Sequence, residues 1–183
     1  MHVRRFVLPL LAATVALAGC GNKEAVVRLA ETEGIYVDVG ALDYQVQLSR
    51  QLNTSVPPDR DYLAGLPDYV APLDEEETWF AVFLRVQNQT DKPHKMAEEF
   101  EIEDTTGRIY KPIPVGQKDN PLAYEAFELP PGGIFPSTDS AGSVSPTQGG
   151  FLLFKIPFQS LGNRPLDFRI AGDGEEAIVD LDV

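Results

Sequence analysis

The chain has 183 residues, with 28 Asp and Glu against 15 Lys and Arg, a formal charge of −13, and a single cysteine. That balance argues against nucleic acid as a partner and against direct docking on anionic lipid headgroups, since both need a basic face. One cysteine excludes an intrachain disulfide and a dithiol redox role, so the core must hold by burial alone.

The first element is a leader. Arg4 and Arg5 precede an apolar stretch over residues 6–17, and small residues then lead to the cysteine. As a helix this stretch spans roughly 18 Å at ~1.5 Å per residue, against a hydrocarbon core of about 30 Å. Pro9 weakens it further as a permanent anchor, so the segment reads as a signal to be threaded and cut. Leu17-Ala18-Gly19-Cys20 resembles the bacterial lipobox. The resemblance implies diacylglyceryl transfer to the Cys20 thiol and cleavage between Gly19 and Cys20. Residues 1–19 are then the signal peptide, and the lipid on Cys20 ties the protein to a membrane on its extracytoplasmic side. Stable anchoring needs two or more acyl chains, because one alone is marginal. Phe6 directly follows the arginine pair, a poor match to a twin-arginine signal, which favours the general secretion route.

Residues 20–34 read as a short polar tether and residues 35–183 as one domain. Within that domain the pattern has period two. Leu42, Tyr44, Val46 and Leu48 alternate with Asp43, Gln45, Gln47 and Ser49, as in a half-buried strand. Residues 53–78 form a long loop containing Tyr62, Leu63, Leu66 and Tyr69, apolar enough to pack over an open end of the fold. Trp79 to Asn88 is apolar on both faces and reads as a central strand. Phe100 and Ile102 alternate with Glu99, Glu101 and Glu103, and Asp104-Thr105-Thr106-Gly107 supplies a tight turn into residues 108–113. A second long loop covers residues 130–150. Three further strands follow, at Phe151 to Ile156, around Leu166, Phe168 and Ile170, and at Ala177, Val179 and Leu181. About eight strands, with 15 prolines and 15 glycines as punctuation, predict an all-β fold, an immunoglobulin-like antiparallel β-sandwich. A closed barrel fits the same alternation.

In their order, these elements are similar to a family of exported bacterial immunoglobulin-like domains of unknown function, labelled telomeric-repeat-binding-factor-like and similar to the secreted mycobacterial antigen fold. The residues that carry the likeness are Val39-Gly40-Ala41-Leu42-Asp43-Tyr44, Phe83-Leu84-Arg85-Val86-Gln87-Asn88 and the Asp104 to Gly107 turn before Tyr110. Leu129-Pro130-Pro131-Gly132 and Ile178-Val179-Asp180-Leu181 complete the set. The resemblance implies a sandwich, export and often a lipid anchor. It carries over no catalytic residue, and the insertion between Gly132 and Gly149 departs from the short family turn.

Chemistry-bearing motifs are sparse. After the leader His94 is the only histidine and Met96 the only methionine, which is too little for a histidine triad, a zinc site or a copper carrier. Acidic runs at residues 74–77 and 98–104 raise calcium, but Glu99, Glu101 and Glu103 alternate along one face, as a solvated row does. Asn88 in Asn88-Gln89-Thr90 reads as a cap where a strand turns. The expectation is therefore a lipid-anchored, non-enzymatic binding or accessory module with no cofactor and no metal. An envelope protein would be its partner, held at a sheet edge or through Tyr62 and Tyr69. The alternatives are an envelope hydrolase using paired carboxylates and a calcium-stabilised adhesion domain.

Overall fold

The computed structural model describes residues 25–144 and 147–182, so the signal peptide and the Gly19–Cys20 processing site lie outside the described residues. Twelve strands occur among those residues, numbered in chain order: β1 (Leu29–Ala30), β2 (Tyr36–Val39), β3 (Leu42–Gln51), β4 (Glu77–Gln87), β5 (His94–Lys95), β6 (Glu99–Glu103), β7 (Ile109–Tyr110), β8 (Glu128–Leu129), β9 (Ile134–Phe135), β10 (Gly150–Pro157), β11 (Leu166–Gly172) and β12 (Glu175–Leu181). They build two facing sheets, one ordered β1-β12-β11-β6-β7 and the other β10-β4-β3-β2 with β9 also on β4. Strands β5 and β8 form a small ribbon apart. All ladders are antiparallel except β1 with β12. The fold is an all-β sandwich, and the two sheets do not close into a barrel.

Alternation explains the main core. Val37 and Val39 of β2, Leu42, Tyr44 and Val46 of β3 and the even positions Phe80 to Val86 of β4 face Phe100, Ile102, Leu166, Phe168, Ile170, Ala177, Val179 and Leu181 across the gap. Each large side chain removed from water there contributes about 1.5–3 kcal/mol. The uninterrupted apolar run of β4 has a second cause. Its odd positions Trp79, Ala81 and Phe83 enter another core on the outer side of the sheet, with Leu52, Tyr62, Val115, Ala123, Phe151 and Leu153. A strand covered on both faces has no reason to alternate.

Two expectations are corrected. The period-two reading of β3 fails after Val46, because the register shifts between Val46 and Leu48. An extra residue there turns the strand over, so Leu48 is 36% exposed and Ser49 only 4%. The proposed tether over residues 20–34 is not free along its described part. Asp38 N donates to the Val27 carbonyl at 2.7 Å and Ile178 N to the Arg28 carbonyl at 2.9 Å. Leu29 and Ala30 pair with Ile178 and Val179, and Ala30 is buried. Residues 27–30 thus strap the edge of one sheet to the edge of the other, and the folded unit begins before residue 35.

Candidate functional site

The segment between β3 and β4 is the largest addition to the sandwich, and ion pairs and rings fix it in place. Arg50, at the end of β3, grips Asp59 with both guanidinium nitrogens, Nη1 to Oδ2 at 2.7 Å and Nη2 to Oδ1 at 2.5 Å. The same carboxylate accepts from Asn53 N at 2.7 Å. Those bonds from Arg50 hold the Asp59 carboxyl below its ordinary range in spite of burial. A 3-10 turn follows (Asp59–Leu63), and it drives Tyr62 edge-on against Phe83 at 5.1 Å and Phe151 at 5.3 Å. Asn120 Nδ2 donates to the Asp61 and Ala64 carbonyls at 2.9 and 3.1 Å. Gly65 has φ of 81° and packs so closely on Asp119 that a Cβ would stand 2.7 Å from its neighbour. The return leg is held by Lys155, whose Nζ reaches the Pro72 carbonyl at 3.0 Å and Glu77 Oε2 at 2.7 Å.

The two tyrosines singled out from the sequence therefore part company. Tyr62 is 1% exposed, so it has no surface to offer a partner, and the binding role expected of it is corrected. The aromatic contacts that bury it make it the keystone of the outer core, over a sheet face rather than over an open end of the sandwich. Tyr69 is 74% exposed, between the half-buried Leu66 and Val70 that pack on that core.

A groove of about 690 Å³ lies at another place, at the end of the sandwich where the β2–β3 and β11–β12 turns meet the residues around β5. Its wall is set by two tyrosine hydroxyls on the backbone of one residue: Ala97 N donates to Tyr44 Oη at 2.6 Å, and Tyr124 Oη donates to the Ala97 carbonyl at 2.8 Å. Burial pushes the Tyr44 hydroxyl up to about 12, so it stays protonated and structural. Three of the acids around the groove are in ion pairs, Glu98 with Lys95 at 2.8 Å, Glu175 with Arg28 at 2.6 Å and Glu176 with Arg169 at 3.1 Å, and Glu99 and Asp173 line it beside them. His94 lines the groove half-buried, while Met96 is buried in the main core.

The acidic runs do not converge. Glu101 and Glu103 lie along β6, where Lys111 and Arg169 neutralise them at 3.2 and 2.9 Å. Among the described residues no three His, Cys, Asp or Glu side chains come close enough to hold a metal ion. Asn88 is the cap the sequence suggested. Its amide nitrogen donates to the carbonyls of Lys92, Leu129 and Pro130 at 2.7, 2.9 and 3.0 Å, and its oxygen accepts from Thr90 N at 3.0 Å. Sequence reasoning missed the row Glu103, Asp167 and Asp180, which stand directly opposite one another on three neighbouring strands. Only the register brings them together, so no local signal announces it. Among the described residues no helix is long and apolar enough to cross a membrane.

No family model matches the chain and no curated protein matches it, so the family likeness drawn above rests on its motifs alone. Solved structures are similar in fold. The yjhA protein from Bacillus subtilis superposes with a TM-score of 0.54 at 10% identity, covering 83% of this chain and 99% of that one. An uncharacterized beta-sandwich protein from Clostridium difficile 630 gives 0.45 at 10% identity, over 84% of this chain and 95% of its own. A conserved hypothetical protein from Bacillus anthracis gives 0.47 at 9%, over 81% and 94%. At such identities the likeness speaks for the fold alone.

Proposed function

We propose that this protein is a membrane-anchored extracytoplasmic lipoprotein whose immunoglobulin-like sandwich is a non-enzymatic binding module for another envelope protein. The observation that carries the binding role is Tyr69, 74% exposed on a segment that Arg50–Asp59, Tyr62 and Lys155 lock against the sheet. Presenting a rigid aromatic side chain costs little conformational entropy on association. The anchor rests on Leu17-Ala18-Gly19-Cys20 and on the resemblance to exported immunoglobulin-like domains. The hydrolase reading stands behind it. The groove acids Glu98, Glu175 and Glu176 are engaged by Lys95, Arg28 and Arg169 respectively.

The test is photocrosslinking in intact membranes from a probe placed at residue 69, compared with Tyr69→Ser. One dominant envelope protein should be captured by the probe and lost from co-purification in the variant, with the melting temperature unchanged. Recovery of the same abundant proteins from both forms would refute the assignment.

A further inference from the structure

We infer that the end of the sandwich carrying the Gly40 and Asp173–Gly174 turns and the groove beside Lys95 faces the bilayer, so that the groove opens onto the lipid headgroup layer. This rests on the reading that Cys20 is lipidated. Chain direction fixes the geometry. Residues 27–30 run parallel to β12, with Arg28 beside Glu175 at 2.6 Å, so the chain enters the fold at the Glu175 end of that strand. Among the described residues the first point at which it is held is Val27, hydrogen-bonded to Asp38 beside the β2–β3 turn. Seven steps of chain separate Cys20 from Val27, a reach of at most about 25 Å at ~3.3–3.6 Å per residue. The opposite end, with the Asp104–Gly107 turn, is farther still by the length of β11, whose seven residues span about 20 Å at ~3.3 Å each.

One surface property agrees with that orientation. Val26 and Leu29, each 65% exposed, flank the point of entry, and apolar side chains there are tolerated at an interface with lipid. Tyr69 belongs to a segment that leaves and rejoins the sheet at the far ends of β3 and β4, on the side left open to water.

The orientation is measured on the full-length acylated protein in vesicles of phosphatidylethanolamine and phosphatidylglycerol. Because the chain's one cysteine carries the lipid in this reading, a new cysteine is the only thiol to label. Lys95→Cys and Lys92→Cys report on the groove end, Thr105→Cys on the far end, and all three sites are exposed. With a quencher fixed to the headgroups, labels at 95 and 92 should be quenched several-fold more than one at 105. Equal quenching, or stronger quenching at 105, overturns the inference while leaving the anchor intact. Vesicle flotation separates the two. If the wild type floats no better than Cys20→Ala, the anchor fails and the orientation falls with it.

Discussion

Replacing Tyr62 by alanine tests whether this residue belongs to the outer core or to a binding surface. The ring is fully buried, in edge contact with Phe83 and Phe151, and its hydroxyl lies 3.4 Å from Thr147 Oγ1. Deleting a buried aromatic ring costs about 3–5 kcal/mol, and each edge-on pair contributes about 0.5–1.5 kcal/mol beyond its area. Because residues 53–73 are an excursion that relaxes more easily than a strand, a loss of about 4 kcal/mol is expected, at the middle of the range. For a domain of this size each kcal/mol moves the midpoint by about 2–4 °C, so the melt followed by circular dichroism should fall by about 8–16 °C. Limited proteolysis should then cut first within residues 53–73. Tyr62→Phe keeps both ring contacts and should cost less than about 1 kcal/mol, since the hydroxyl contact is long. A Tyr62→Ala midpoint within about 2 °C of wild type would refute the packing argument and return Tyr62 to the candidate binding residues.

Asp104 caps the β6–β7 turn. Burial works against its charge, but Oδ1 accepts from Thr106 N, Thr106 Oγ1 and Arg108 N and Oδ2 accepts from Asn163 Nδ2, and together these hold the carboxyl well below the usual range. A depressed carboxylate contributes stability that is complete above its unfolded value near ~3.9 and drains away as the pH falls below it. Asp104→Asn should therefore cost about 2 kcal/mol at neutral pH, with the gap to wild type closing in acid; a gap unchanged from neutral pH down to about pH 3 would contradict the assignment. Asp180 is the opposite case: burial, and then the facing Asp167, raise its pKa, so its ionised form opposes folding and stability is gained as the pH falls through the raised value. Asp180→Asn should add about 0.5 kcal/mol at neutral pH, and a lower melting temperature there would count against the repulsion. Cys20→Ala should leave the leader uncut and abolish labelling by radioactive fatty acid; normal processing of that variant would dispose of the anchor.

The sequence by itself determined the class of this fold. Alternation at Leu42 to Val46, Phe100 to Ile102, Leu166 to Ile170 and Ala177 to Leu181 marks which side chains go inside, because a half-buried strand has no other way to hide them. The Asp104 to Gly107 turn was equally legible, since Gly107 takes a φ of 80° and Asp104 bonds its own backbone two residues on. Only the tertiary structure decided the rest. Strand β1 has two residues and pairs because the edge of β12 is there to receive it, a contact 149 positions away in the chain. The bulge after Val46 answers to the register with β4, and the row of Glu103, Asp167 and Asp180 to pairings among three distant strands. Tyr62 and Tyr69 look alike in the sequence, two aromatics in one long loop. What separates them is the outer core that Phe83 and Phe151 offer to the first and not to the second, and burial of that kind is a property of neighbours brought together by folding.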